Sequence, residues 1–136
     1  MAFEFNRNQQ DLNYTSTVTV LSGGANTASF DLEQAVGGDI ERVVFELAAP
    51  ACSITQLTDA KVLTYALQDS ADGSSWAAVD PAISTTQTSA TANSGVAAKT
   101  VRFRVPANTR RYVRIAQTAS GTPGTLGVAM VAKLLF

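Results

Sequence analysis

A period of two constrains this chain more than any other feature. Short segments alternate apolar and polar residues, and each run stops at Gly, Pro, Asn, Asp or Ser, the residues that favour turns. Val18 and Val20 share a face, and Ser22, Gly23 and Gly24 end that run. Ala28, Phe30 and Leu32 then face one way, with Ser29, Asp31 and Glu33 opposite, before Gly37 and Gly38 turn the chain. Val43, Phe45 and Leu47 oppose Arg42 and Glu46, and Pro50 closes the segment. Leu63, Tyr65 and Leu67 line the next run. The Asp72-Gly73 turn follows, and Ser75 to Val79 carries Trp76 into another strand. Val101, Phe103 and Val105 alternate with Arg102 and Arg104, and Val113 and Ile115 with Tyr112 and Arg114. The last run places Leu126, Val128, Met130, Ala132, Leu134 and Phe136 on one face.

No stretch carries the i, i+3, i+4, i+7 pattern of an amphipathic helix over three turns, and β-branched residues such as those from Thr15 to Leu21 lose rotamer freedom in a helix. The fold class expected is therefore all-β, a two-sheet antiparallel sandwich of about eight strands. Eight strands favour a jelly roll over an immunoglobulin-like fold, whose Cys and Trp spacing is absent. Three segments stand outside the alternation. Ala2 to Asn13 is polar with Phe3, Phe5 and Leu12 set into it, so residues 1–14 are expected as an N-terminal arm and 15–136 as a single sandwich domain. Ala48 to Asp59 is a connection in which Cys52, Ile54 and Leu57 tuck inward. Pro81 to Gly95, rich in Ser, Thr, Ala and Asn, is expected as an extended surface loop.

A chain of 136 residues suits one core and needs no staple, in keeping with a lone cysteine that cannot close an intrachain bridge. Met1 to Phe5 has no signal-peptide pattern, and no apolar run reaches about 18 residues, so a soluble protein made in a cytoplasm, with no membrane partner, is expected. A net charge of −1 and a pI near 5.2 argue against nucleic acid as the partner. The charge is unevenly spread. Ten acidic residues oppose Arg7, Arg42 and Lys61 up to Asp72, whereas beyond it Asp80 alone opposes Lys99, Arg102, Arg104, Arg110, Arg111, Arg114 and Lys133. Either the strands of both halves interleave and mix these charges, or the surface is bipolar and suited to ordered assembly.

Histidine is absent altogether, which closes most Ser-His-Asp, Cys-His and zinc-hydrolase chemistry, because those reactions need an imidazole as base or ligand. Cys52, between Ala51 and Ser53, has no activating base beside it and reads as a buried structural thiol. Asp31 and Glu33 project from the polar face of a strand, where charge is solvated, rather than forming a glycosidase pair. Asp69 to Ser74 lacks the ligand spacing of a calcium loop, and Gly121, Gly124 and Gly127 lack that of a phosphate cradle. No catalytic residue, metal or cofactor is expected; the chain does not read as an enzyme. The concentrated charge feature is Arg110 and Arg111 with Arg102, Arg104 and Arg114: a solvated strand face, or a set of bidentate contacts to carboxylates on a protein. The protein-interface candidates are Phe3, Phe5, Arg7, Arg110 and Arg111.

The aromatic-bearing arm, the segment Asp69-Ser70-Ala71-Asp72-Gly73-Ser74-Ser75-Trp76, and Asn108-Thr109-Arg110-Arg111-Tyr112-Val113-Arg114-Ile115 followed by Ser120-Gly121-Thr122 resemble the capsid cement proteins of Bordetella-type short-tailed phages. The resemblance spans about Asp11 to Phe136. It implies a jelly-roll decoration protein on the outer surface of an icosahedral head, made in a bacterial cytoplasm, which bridges major capsid subunits and has no catalysis. The partners expected are the major capsid protein and a second copy of the chain, in a symmetric oligomer with a dimer favoured over a trimer, because exposed strand edges need covering. The arm and the two arginines are expected to serve attachment rather than folding. The rival expectation is a carbohydrate- or receptor-binding β-module of a phage tail or fibre, which Trp76 or Tyr65 standing exposed in a shallow groove would favour.

Overall fold

The computed structural model describes residues 10–32, 43–58, 60–90, 94–121 and 124–135, with side chains from residue 15 onward. Every regular element among them is a strand: β1 (Gln10–Thr19), β2 (Ala25–Asn26), β3 (Phe30–Asp31), β4 (Val44–Ala49), β5 (Val62–Ser70), β6 (Ala77–Ala78), β7 (Ser84–Thr88), β8 (Lys99–Arg104), β9 (Tyr112–Ala119) and β10 (Ala129–Leu135). They form two antiparallel sheets. The first has the order β1-β10-β4-β8, and the second β2-β9-β5-β6, with β3 also on β9 and β7 also on β5.

The second sheet has interrupted edges. Asn26 of β2 lies opposite Ala116 and Phe30 of β3 opposite Val113, so both follow the same side of β9. Ser84 of β7 faces Ala66 and Ala78 of β6 faces Gln68, along the free side of β5. Taking β2 with β3 and β6 with β7 as single rows turns ten strands into eight, four in each sheet. In chain order the first sheet holds rows one, eight, three and six; the second holds two, seven, four and five. That wrapping is a jelly roll, as expected.

The core lies between the two central strand pairs. Phe45 and Leu47 of β4 and Met130 and Leu134 of β10 meet Leu63, Tyr65 and Leu67 of β5 and Val113 and Ile115 of β9, all fully buried. Each side chain of this kind contributes about 1.5–3 kcal/mol by leaving water. Phe30 on the interrupted edge packs edge-on against Phe45, ring centroids 5.3 Å apart at 70°, and so ties the rim of one sheet to the middle of the other.

Three expectations differ from the structure. Ala28 is exposed and Thr27 is buried, so the face carrying Phe30 and Leu32 does not continue through Ala28. The alternation slips between Thr27 and Phe30 because Thr27 closes a local set of bonds. Its N–H donates to the Ile115 carbonyl (3.0 Å), its Oγ1 accepts from the Ile115 N–H (3.0 Å), and the Ala28 N–H turns to Ser16 Oγ (3.0 Å). Secondly, the expected loop from Pro81 to Gly95 contains β7. Its inward positions run Ile83, Thr85, Gln87 and Ser89, so a period of two was present with Ile83 as its one apolar mark. Thirdly, β1 begins at Gln10, inside the segment expected as an arm, with a register shift between Gln10 and Thr15.

Gln87 explains how a polar residue is tolerated in that core. It is buried, its Oε1 accepts from the Tyr65 hydroxyl (2.8 Å), and its Nε2 donates to the carbonyls of Pro50 (2.9 Å) and Ala97 (3.0 Å). The amide is thus satisfied on both sides, as a buried polar group must be. Burial pushes the Tyr65 hydroxyl pKa upward, so it stays a protonated donor in this bond. Gly95 lies close by with φ +65°, and a Cβ there would fall 2.3 Å from the Cys52 carbonyl, so only glycine allows the Cys52–Val96 bridge to close. Cys52 is buried, and burial raises its thiol pKa, which keeps it protonated and inert, as expected for a structural thiol.

Candidate functional site

Two of the segments that carry the resemblance, Asp69 to Trp76 and Asn108 to Ile115, meet at one end of the second sheet. The register of β5 on β9 places Ser70 opposite Tyr112, Asp69 opposite Val113 and Gln68 opposite Arg114. Asp69 lies on the inward face and is buried; Gln68, Tyr112 and Arg114 lie on the outer face, half-buried.

Asp69 is held by one residue from four directions. The Arg110 backbone N–H donates to its Oδ2 (2.9 Å), the Arg110 Nε and Nη2 both donate to its Oδ1 (2.9 and 2.6 Å), and Nη2 also reaches its backbone carbonyl (3.1 Å). These bonds push the Arg110 pKa further above its ordinary value, chiefly through the Asp69 side chain. Arg111 makes a bidentate pair with Asp31 on β3, Nε to Oδ1 at 2.8 Å and Nη2 to Oδ2 at 2.7 Å, and its guanidinium lies 5.2 Å from the Tyr112 ring centroid. The clamp joins the β8–β9 connection to the end of β5, and the second pair joins it to the sheet edge.

The turn after β5 is built by its own side chains. Asp72 Oδ1 accepts from the N–H groups of Ser74 (2.8 Å) and Ser75 (2.9 Å) and from Ser70 Oγ (2.8 Å), while Ser70 Oγ accepts from the Gly73 N–H (2.9 Å). Three bonds to the ionised form hold the Asp72 carboxyl down at a pKa of about 2. The turn delivers Trp76, half-buried, to the outer face, where the Arg114 guanidinium stands 4.3 Å from its ring centroid and the Arg114 Nε donates to Gln68 Oε1 at 2.9 Å.

Of the expected interface residues, Phe3, Phe5 and Arg7 lie outside the described residues. Arg110 and Arg111 are adjacent, and each holds a carboxylate of its own chain. Trp76 is half-exposed, whereas Tyr65 is fully buried and cannot meet a ligand. The grouping of Trp76, Arg114, Gln68 and Tyr112 on one surface was not foreseen. Trp76 and Arg114 stood out individually, but their contact depends on the register of β5 and β9, which no local pattern encodes.

The corner gathers groups suited to binding. Among the described residues no three or more Cys, Asp or Glu residues gather as a metal site would require. Asp31 and Asp69, the carboxylates nearest the arginines, are both committed to ion pairs. What the outer face offers is a flat indole, a phenol ring, an oriented guanidinium and an amide.

No family model matches this chain, and no curated protein does. Among solved structures it is similar to a xylan-binding module, CBM15, at a TM-score of 0.41 and 17% identity over 87% of this chain and 76% of that one. It is also similar to a mutant Xylanase10C from Cellvibrio japonicus in complex with xylopentaose, at a TM-score of 0.41 and 15% identity, covering 88% of this chain and 22% of that one. Likeness of this degree says nothing about ligand; the jelly roll rests on the chain's own strand order.

Proposed function

We propose that the chain is a non-catalytic structural binding module, a capsid cement protein that attaches to the outside of a phage head through the corner around Trp76 and bridges major capsid subunits. The observation that carries this reading is the composition and rigidity of that corner. Trp76, Tyr112, Arg111 and Arg114 share one end of the second sheet, and Trp, Tyr and Arg are the residues that concentrate binding energy at protein interfaces. Their supports are already in place: Arg110 locks the loop onto Asp69, and Asp72 locks the turn that presents Trp76. A surface ordered before contact loses less side-chain and loop entropy on binding. Two of the segments that resemble cement proteins, Asp69 to Trp76 and Asn108 to Ile115, supply this corner.

Mechanically, a module of this kind raises the cost of separating two shell subunits by the interface it adds across their junction. Many copies multiply the effect, and an interface of about 1,200–2,000 Å² is sufficient for stable attachment.

A second reading has its own observation. Trp76 beside Arg114 and Gln68 combines a ring with hydrogen-bonding groups, the elements of a sugar site. The guanidinium lies over one face of the indole, so a sugar would stack on the other. The experiment is co-sedimentation of the purified chain with empty phage head shells, and with a panel of insoluble polysaccharides. Saturable pelleting with shells supports the cement reading. Pelleting with a polysaccharide and not with shells overturns it in favour of the second.

A further inference from the structure

We propose that Arg114, laid over Trp76 and tied through Nε to Gln68, is a preorganised receptor for a carboxylate, and that this carboxylate is an Asp or Glu side chain of the partner protein. The inference rests on the corner being the contact surface and adds the chemistry of what meets it.

The arginines of this protein fall into distinct situations. Arg102, Arg110 and Arg111 each pair with a carboxylate of their own chain: Glu46, Asp69 and Asp31. Arg104 is exposed, with nothing holding it in one orientation among the described residues. Among the described residues Arg114 alone is oriented by two contacts while lacking a counter-charge, since both contacts are neutral: an amide oxygen at 2.9 Å and an indole face at 4.3 Å. Partial burial costs this cation hydration without giving it a carboxylate, and its pKa is lowered accordingly.

A guanidinium presents five N–H groups in a fixed fork, and the bond to Gln68 uses one. The two terminal amino groups, and the indole N–H of Trp76, have no acceptor among the described residues. A carboxylate accepts two parallel N–H bonds from such a fork, and a guanidinium whose plane is already fixed loses little freedom in making them. Arg110 and Arg111 already match Asp69 and Asp31, and Asp72 stands against the charge of Arg114, so a singly charged carboxylate suits the local field better than a doubly charged phosphate.

Trp76 is the chain's single tryptophan, so its indole N–H gives one unambiguous signal in a nitrogen-15 NMR spectrum. Titration of the intact protein with sodium acetate, an acetylated glutamate peptide or sodium glucuronate, against sodium chloride at matched ionic strength, should move that signal saturably for acetate and the peptide, and not for chloride. Arg114→Gln should abolish the shift, and Arg114→Lys should leave only a weak one because the fork is lost. In sedimentation with shells, Arg114→Gln should lower apparent affinity about tenfold or more with the melting temperature nearly unchanged. Absence of a saturable shift, or its persistence in Arg114→Gln, overturns the receptor; saturation by glucuronate alone overturns the protein carboxylate. If Trp76→Ala loses attachment while Arg114→Gln keeps it, the corner remains the contact and this inference fails. Should both folded variants attach like the parent, the contact surface itself is misplaced.

Discussion

Each edge of the first sheet is a single strand, β1 with one register shift and β8, whereas both edges of the second are interrupted, at Ala28 between β2 and β3 and at Pro81 between β6 and β7. The difference shows two ways of holding a strand. The first sheet relies on ladders and apolar alternation. In the second, side chains complete the interrupted rows: Thr27 on the Ile115 backbone, Gln87 on the carbonyls of Pro50 and Ala97, and Arg110 and Arg111 on Asp69 and Asp31. Pro81 has no N–H for a ladder, so an interruption there costs nothing that proline had not already removed. The more polar sheet is also the one that carries the candidate contact surface.

The largest effect expected is at the apolar centre of the first sheet. Phe45 is fully buried and meets Phe30 edge-on, so Phe45→Ala should cost about 3–5 kcal/mol in denaturant unfolding, with the whole domain melting as one unit. Separate transitions for the two sheets would break the view that Phe30 couples the interrupted edge to the core.

Gln87→Leu tests the interrupted edge itself. It strands the buried Tyr65 hydroxyl and removes the donor to the Pro50 and Ala97 carbonyls, and should cost about 1–3 kcal/mol, with hydrogen exchange accelerating first in β7 and the facing residues of β5. A cost below about 1 kcal/mol would mean water replaces the amide and the edge is held by its ladder after all.

That contrast also marks what was legible beforehand. Val18, Phe45, Leu47, Met130 and Leu134 announce the first sheet because their alternation is apolar and local. The central strands β5 and β9 are announced equally well by Leu63, Tyr65, Leu67, Val113 and Ile115. The edges of the second sheet were hidden for a physical reason: Thr27, Thr85, Gln87 and Ser89 occupy inward positions, and Thr27 and Gln87 are made tolerable by partners far along the chain. The corner was half legible. The cluster of arginines could be seen, but whether a given guanidinium meets a carboxylate of its own chain depends on which strands are neighbours.

The arginines sharpen this point experimentally. Arg110→Gln should lower the melting temperature, because buried Asp69 loses its principal donors, while Arg111→Gln should change stability by about 0–1 kcal/mol, since that pair is largely solvated. Equal effects from the two substitutions would show that burial of the carboxylate partner does not separate them.

The smallest effect expected is a pH dependence at the turn after β5. Asp72 is solvent-exposed, and its carboxyl sits near pKa 2 because the Ser75 and Ser74 N–H groups and the Ser70 hydroxyl donate to the ionised form. In the unfolded chain those donors are gone, and the pKa returns to an ordinary aspartate value of about 3.8. A folded pKa below the unfolded one means that the folded state binds the proton less readily. The contribution is therefore complete above about pH 4, and declines as pH falls toward the folded value of about 2. Asp72→Asn should flatten this part of the stability profile while leaving stability near pH 7 only slightly reduced, because an amide oxygen can still accept from the Ser74 and Ser75 N–H groups. Unfolding midpoints measured from pH 5 down to pH 2 in parent and variant make the comparison. If the two profiles fall in parallel, the turn does not contribute through the Asp72 charge, and the presentation of Trp76 depends on the backbone conformation at Gly73, whose φ of +76° suits glycine.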